Sequence, residues 1–217
     1  ETDRGTAVFG GDVVISGSLF NSEGERIDGT PAGSDTEIGK THITHHLVKA
    51  FQENKLRVCT QKWVQCGPSP HDLDAHKCIL ETHLLNKRLP YHFQQEVSPH
   101  LAAELNKSII IKEKLILASY SLAKEHDILL IEGSGGLMVP LSNNLLIIDL
   151  IAEMKLPVIL VVPNRIGTIN QSLIHLKALK TYQVKCLGVL LNQHQNNSIS
   201  ESMKQDHVKQ IEHFASP

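Results

Sequence analysis

Apolar runs alternate along the chain with segments in which apolar residues recur at helical spacing. Residues 127–132, 157–162 and 186–191 are short, mainly apolar runs, as expected for strands that are buried on both faces. Between the runs, apolar positions repeat every three or four residues, as they do over residues 109–124 and 168–182. This alternation predicts an α/β fold with a doubly wound, mostly parallel sheet and helices on both faces.

The strongest chemical signal lies near the start of this pattern. Gly33 begins a loop that ends in Gly39, Lys40 and Thr41, and a helical pattern follows. Backbone N–H groups of such a loop can wrap phosphates, while the lysine reaches the β and γ oxygens and the threonine hydroxyl holds Mg²⁺. The spacing is unusual, because five residues separate Gly33 from Gly39 where four are standard, or else Ser34 replaces the first glycine. The alternative interpretation is a surface helix that merely begins with Gly-Lys-Thr.

A second signal lies far downstream, where the apolar run of residues 127–132 ends in Glu132 and a glycine-rich stretch follows. A carboxylate at the carboxyl end of a buried strand, beside a phosphate loop, completes the Mg²⁺ shell in α/β nucleotide-binding proteins. The carboxyl ends of parallel strands meet at one edge of the sheet. We therefore expect Glu132 to lie near Thr41 at that edge.

Several further motifs occur in a characteristic order. They are Gly33-x-Asp35-Thr36-x-x-Gly39-Lys40-Thr41, Lys62-x-Val64-x-x-Gly67, Ser98-Pro99-His100, Glu132-Gly-x-Gly-Gly136, Pro140-Leu141-Ser142, Pro157-Val-Ile-Leu-Val161 and Gly167-x-Ile-Asn170. In this order they resemble the dethiobiotin synthetase family, over residues 33–193. The resemblance implies a sheet of the phosphate-loop NTPase type and an ATP-dependent ligase of biotin biosynthesis.

The resemblance also implies a reaction. In that family, one amine of 7,8-diaminopelargonic acid takes up CO₂, ATP phosphorylates the resulting carbamate, and the second amine closes the ureido ring of dethiobiotin. By similarity Lys40 and Lys62 are catalytic: Lys40 bridges the carbamate and the γ-phosphate, and Lys62 offsets the negative charge of the carbamate. In that family the turn that matches residues 167–170 belongs to the neighbouring subunit and binds the carboxylate of the substrate, which implies a homodimer.

The same resemblance assigns the binding residues. The residues that it implies for ATP binding are Gly33, Asp35, Thr36, Glu37, Ile38, Gly39, Lys40, Thr41 and Asn192. Asn192 would recognise adenine. The Mg²⁺ ligands implied by the resemblance are Thr41, Glu132 and Asp74, with an acid next to Asp74 as the alternative to it. The residues that it implies for substrate binding are Cys66, Gly136, Thr168, Ile169 and Asn170.

The second lysine motif departs from the family pattern. The pattern Lys-Pro-Val-x-Ser/Thr-Gly is here Lys62-Trp63-Val64-Gln65-Cys66-Gly67, so that Trp63 replaces a rigid residue. Cys66 stands where a hydroxyl would contact the substrate, and a thiol is a weak hydrogen-bond donor. We expect these differences to affect affinity rather than the type of reaction.

Residues 1–30 form an atypical N-terminal segment, which reads as a short hairpin or a substitute strand, before a phosphate-loop domain over residues 31–217. In the family, a buried strand leads directly into the loop, but residues 25–32 here are a poor core strand. Residues 13–15 are apolar and β-branched, so we expect them to be buried beside the strand that ends at Glu132, unless that strand is missing. The family pattern continues past residue 217, so we also expect part of the adenine pocket to be absent.

Composition narrows the class of protein further. A chain of 217 residues with 41% hydrophobic residues suits one domain, and a net charge of −2 does not attract nucleic acid or an anionic membrane. Apolar runs stay well below the roughly 20 residues that span a bilayer. The four cysteines form no C-x-x-C pair, which favours a reduced, cytoplasmic protein.

Two alternative functions remain from the sequence. A regulatory ATPase of the related partition type would keep the phosphate loop without requiring the substrate motifs. A catalytically inactive domain of the same fold, used for binding, would explain the divergent start.

Overall fold

The computed structural model describes residues 30–33, 38–68, 85–193 and 199–215. Within these ranges the strands are β1 Thr30–Gly33, β2 Val58–Lys62, β3 Val64–Cys66, β4 Tyr91–Phe93, β5 Ile128–Glu132, β6 Pro140–Ser142, β7 Leu145–Leu146, β8 Val158–Pro163 and β9 Cys186–Asn192. The helices are α1 Lys40–Glu53, α2 Leu85–Arg88, α3 Pro99–Leu105, α4 Lys112–Glu125, α5 Ile147–Glu153, α6 Thr168–Thr181 and α7 Glu201–Ala215.

The central strands are parallel. Strands β1, β8 and β9 pair in that order, and β2 pairs with β5. Strand β1 also contacts β5, so the two groups lie side by side in the order β2, β5, β1, β8, β9. Short β3 and β4 form a separate parallel pair, and β6 and β7 form an antiparallel one. The carboxyl ends of the central strands therefore meet along one edge, as the alternation of strands and helices predicted.

Strand β5 is buried on both faces because neighbouring residues alternate between two cores. Ile128 and Leu130 pack in the cluster that contains Leu47 of α1. Leu129 and Ile131 join the other cluster, together with α4 and α6 residues. Strand residues point alternately to opposite faces, so α1 covers one face of the sheet and α4 and α6 cover the other. The predicted helices on both faces are confirmed.

Strand β1 overturns one expectation. The residues directly before the phosphate loop form this strand, which pairs with β8 from Thr30 opposite Val158 to Gly33 opposite Val161. The prediction that they make too poor a strand for this place is wrong, because pairing with β8 and contact with β5 outweigh a low intrinsic preference. Residues 13–15 lie outside the described residues, and their burial stays a prediction.

The helices are of ordinary globular length. Helix α1 buries Ile43, Leu47, Val48 and Phe51 at the spacing of one helix face. In the part of the chain that the structure describes, no helix combines the length and apolar character needed to cross a membrane.

Candidate functional site

The phosphate loop is described at its two ends. Gly33 is the last residue of β1, and Ile38 is buried directly before Gly39. The predicted nucleotide residues that fall outside the described residues are Asp35, Thr36 and Glu37.

The end of the loop passes straight into α1. Gly39 precedes the helix and has a φ of 90°, a left-handed conformation that favours glycine. A Cβ atom on Gly39 would also collide with the side-chain amide of Asn192. That amide donates a hydrogen bond from Nδ2 to the carbonyl oxygen of Ile38 at 2.8 Å. Glycine is therefore required both by the backbone conformation and by the close approach of β9, while adenine recognition by Asn192 stays a prediction.

Glu132 joins the loop helix to the neighbouring strand. It is the last residue of β5, in register with Lys62 at the end of β2. Its Oε1 atom accepts a hydrogen bond from Thr41 Oγ1 at 2.9 Å and lies 3.3 Å from Lys62 Nζ. The side chain of Glu132 is 2% exposed and that of Lys62 is 9% exposed. The structure thus brings three predicted site residues together, of which Glu132 and Lys62 are buried and Thr41 is half-buried.

Lys40 adds a second buried cation to this edge. It is the first residue of α1 and is only 6% exposed. The first turn of a helix carries backbone N–H groups that favour an anion. Lys40 adds positive charge at the same end of the helix. The start of α1 therefore favours an anionic ligand such as a polyphosphate.

Oxygen donors suited to Mg²⁺ meet at the same place. Thr41 Oγ1 and Glu132 Oε1 are 2.9 Å apart, and Glu132 Oε2 is buried as well. Hydroxyl and carboxylate oxygens are ligands that Mg²⁺ prefers, usually with waters and substrate phosphates. The two side chains therefore fit the ion that the resemblance implies. Asp74 lies outside the described residues, and its metal role stays a prediction.

The glycine-rich stretch after β5 packs against β3. Ser134 Oγ donates a hydrogen bond to the carbonyl oxygen of Val64, and Gly135 turns the chain with a φ of 80°. Gly136, which is predicted to bind substrate, is half-buried in this turn. The stretch therefore connects Glu132 to the strand that follows Lys62.

Cys66 is the last residue of β3 and is half-buried. Burial raises the pKa of its thiol, and this effect exceeds that of Lys62, which lowers the pKa. The thiol is therefore protonated near neutral pH, when it is a poor nucleophile. The raised pKa therefore argues against covalent chemistry by Cys66, while its contact with the substrate stays a prediction.

The turn of residues 167–170 follows β8 at the same edge but faces outward. Gly167 has a φ of 95° and precedes α6. The hydroxyl of Thr168 stabilises the turn by accepting a hydrogen bond from Arg165 N at 2.8 Å. Of the predicted substrate residues in this turn, Thr168 is buried, Ile169 is half-buried and Asn170 is exposed. The first turn of α6 therefore presents the amide side chain of Asn170 to solvent.

One part of this edge was not predicted. His207 of α7 is buried, and its Nδ1 atom lies 2.7 Å from Oδ1 of buried Asn164. The backbone N–H of Asn164 in turn donates to the carbonyl oxygen of Asn192 at 2.6 Å. Helix α7 thus braces the ends of β8 and β9 behind the loop. Neither His207 nor Asn164 belongs to a motif, so the sequence carries no signal for this contact.

The fold and the cluster around Glu132 define a phosphate-loop nucleotide-binding α/β protein. A family model described as an AAA domain matches residues 32–216. A crystal structure of the chimerical protein CapA2B2 has a similar fold, with a TM-score of 0.50 and 15% identity over 79% of this chain and 77% of that chain. At that identity the likeness concerns the fold alone, and it agrees with the predicted fold class.

Curated relatives identify the family more closely. ATP-dependent dethiobiotin synthetase BioD 2 of Haemophilus ducreyi is 34% identical over 84% of this chain and 92% of its own length. The enzyme of the same name from Haemophilus influenzae is 38% identical over 74% of this chain and 88% of its own. A third relative, ATP-dependent dethiobiotin synthetase BioD of Lysinibacillus sphaericus, is 34% identical over 82% of this chain and 79% of its own.

The chain belongs to the ATP-dependent dethiobiotin synthetase family. The resemblance inferred from the order of motifs is confirmed, as is the prediction of an ATP-dependent ligase with ATP as a substrate.

Proposed function

We propose that this protein forms dethiobiotin from 7,8-diaminopelargonic acid and CO₂, with hydrolysis of ATP to ADP and phosphate in the presence of Mg²⁺. The proposal is carried by one observation, the contact of Glu132 Oε1 with both Thr41 and Lys62. Through this contact the phosphate-loop helix and the second lysine share one buried carboxylate. This contact supports a site in which a nucleotide-handling group and a substrate-handling group act on the same reacting atoms.

The nucleotide half of the reaction rests on Lys40 and the start of α1. Transfer of the γ-phosphoryl group requires mainly positioning and neutralisation of charge on its oxygens. Lys40, nearly inaccessible at the first position of α1, supplies that charge next to free backbone N–H groups. Thr41 and Glu132 would hold Mg²⁺, which when bound neutralises charge on the β and γ phosphates. By resemblance Asp74 would be a further ligand.

The substrate half of the reaction rests on Lys62. An amine of the substrate attacks CO₂ and loses a proton to give a carbamate, whose oxygen then attacks the γ-phosphorus while the bond to ADP breaks. The second amine attacks the carbamate carbon, loses a proton and expels phosphate as the ring closes. Lys62 offsets the negative charge of the carbamate from a position fixed by its ion pair with Glu132.

The carboxylate of the substrate is proposed to bind the turn of residues 167–170 of a second copy of the chain. Support comes from exposure, since Asn170 is exposed and the neighbouring Ile166 is 84% exposed. A second copy would remove this apolar side chain from contact with water. The protein would then be a homodimer. We also propose a cytoplasmic location, because Cys59, Cys66 and Cys186 are free thiols.

Phosphate release tests this function and separates it from the two alternatives. Purified protein is incubated with ATP, Mg²⁺ and bicarbonate, with and without 7,8-diaminopelargonic acid. Release that depends on the diamine is the expected result. Equal release without the diamine would favour a regulatory ATPase of the partition type, and no release in either sample would favour an inactive domain.

A further inference from the structure

The two residues that flank Lys62 contact one hydroxyl group on α4. Trp63 Nε1 donates a hydrogen bond to Ser119 Oγ at 3.1 Å. The same oxygen lies 2.7 Å from Gln61 Oε1, to which it donates. Gln61, Trp63 and Ser119 are each at most 1% exposed. The chain on both sides of Lys62 is therefore attached to a single point on a neighbouring helix.

Further hydrogen bonds extend this network. Gln61 Nε2 donates to the carbonyl oxygen of Lys87 in α2 at 2.8 Å. The carbonyl oxygen of Leu115, one turn earlier in α4, lies 2.9 Å from Ser119 Oγ and shares its single hydroxyl proton with Gln61 Oε1. A buried polar network whose side chains are all paired is rigid, because breaking one contact leaves a buried donor or acceptor without its partner. Helices α2 and α4 thus both hold Gln61.

The network lies on the other side of the chain from the site. Adjacent residues of a strand point to opposite faces. Lys62 reaches Glu132 of β5, whereas Gln61 reaches α2 and α4. Lys62 is the last residue of β2 and β3 begins at Val64, so the chain passes from one strand to the next at Trp63. The position of Lys62 Nζ therefore depends in part on how firmly Gln61 and Trp63 are held.

We propose that Ser119 is a positioning residue, which holds Lys62 against Glu132 by fixing Gln61 and Trp63. The inference rests on the proposed function, in which Lys62 offsets charge on the carbamate. Trp63 stands where the family pattern has a proline, and the ring of a proline restricts the backbone. In this chain the hydrogen bonds of Gln61 and Trp63 with Ser119 supply that restriction.

Ser119→Ala removes the shared hydroxyl and tests the proposal. We expect kcat for diamine-dependent phosphate release to fall about tenfold, because a small misplacement of a catalytic group costs one to two orders of magnitude in rate. The KM for ATP should stay within about twofold, since α1 and the loop are untouched. Trp63→Phe removes the indole N–H and, because Trp63 is fully buried, also leaves a cavity beside Ser119. It should lower kcat in the same direction, and the cavity control described below accounts for the loss of packing.

The matched control is Leu122→Ala, on the same helix. Leu122 is fully buried, so its truncation opens a cavity and destabilises the fold while every hydrogen bond of the network is kept. Both variants are assayed at a temperature where circular dichroism reports them folded. Leu122→Ala should keep kcat within about twofold of the wild-type value.

The outcomes separate the two proposals. A loss of kcat in Ser119→Ala that is absent from Leu122→Ala supports the positioning role. Equal kcat in Ser119→Ala and wild type, or equal losses in the two variants, overturns it. If Ser119→Ala does not fold, Trp63→Phe decides the matter and must lower kcat more than Leu122→Ala does. Absence of diamine-dependent release by the wild-type protein would instead overturn the proposed function.

Discussion

The buried cluster around Glu132 and the outward-facing turn of residues 167–170 are two parts of one sheet edge that are built in different ways. Glu132, Lys62 and Lys40 are charged and nearly inaccessible at strand and helix ends. Directly before the turn, Ile166 is 84% exposed although it is apolar. The nucleotide half of the proposed site is therefore assembled within one chain, whereas the carboxylate half is proposed to involve a second copy.

The difference has energetic consequences. A buried charge is tolerated only while its partners remain, so changes in the cluster should lower both ligand binding and the free energy of unfolding. An exposed amide has no such constraint, and its removal should affect only what binds to it. Substitutions in the two regions should therefore give different patterns of kinetics and stability.

Lys40→Ala should have the largest effect. We expect turnover to fall by at least about a hundredfold and ATP binding to weaken, because the variant lacks the charge that follows the transferring phosphoryl group. Phosphate release and calorimetric titration with ATP measure the two effects. The exposed Lys49 of the same helix provides the control as Lys49→Ala, which should behave as wild type. Normal turnover by Lys40→Ala would contradict the assignment of residues 33–41 as a phosphate loop.

Glu132→Gln should have the next largest effect. The amide oxygen can still accept from Thr41, so we expect a folded protein that has lost most of its Mg²⁺-dependent activity, since a neutral amide is a weaker ligand for a hard cation. Activity is measured as Mg²⁺ is titrated, with Glu113→Gln, an exposed carboxylate on α4, as the control. An unchanged Mg²⁺ titration would mean that the ion binds elsewhere.

Asn170→Ala tests the exposed region, the turn of residues 167–170. We expect KM for the diamine to rise about tenfold at nearly constant kcat and unfolding temperature, because only uniform binding of the substrate carboxylate is reduced. Gln52→Ala removes another exposed amide, on α1, and should change nothing. A fall in stability, with KM unaltered, would show that the turn serves the fold alone.

Cys66→Ser should have the smallest effect. Burial raises the pKa of the thiol, so Cys66 is protonated and uncharged below its ordinary titration range. We expect the pH profile of kcat/KM between about pH 6 and 8 to keep the same shape when the thiol is replaced by a hydroxyl. Loss of an inflection in that range would reveal a thiolate in the reaction.

The cluster was largely predictable because its residues end regular elements. An apolar run closed by Glu132 predicts a buried strand with a carboxylate at its end, and Lys40 and Thr41 begin a clear helical pattern. The structure then adds the register that pairs Glu132 with Lys62.

Other parts were not predictable from local pattern. Strand β1 contains Pro31 and Gly33, both unfavourable in strands, and forms because β8 pairs with it. Ser119 is 56 residues from Trp63, and one serine in an amphipathic helix carries no sign of a distant partner. In both cases tertiary contact decides, and local sequence does not encode the partner.

Incorporation of ¹³C-labelled bicarbonate into product tests the central claim most directly. The wild-type protein is incubated with the diamine, ATP, Mg²⁺ and labelled bicarbonate, and dethiobiotin and phosphate are quantified together. The reaction proposed above predicts one labelled ureido carbon for each phosphate released. Phosphate released without labelled dethiobiotin would contradict it.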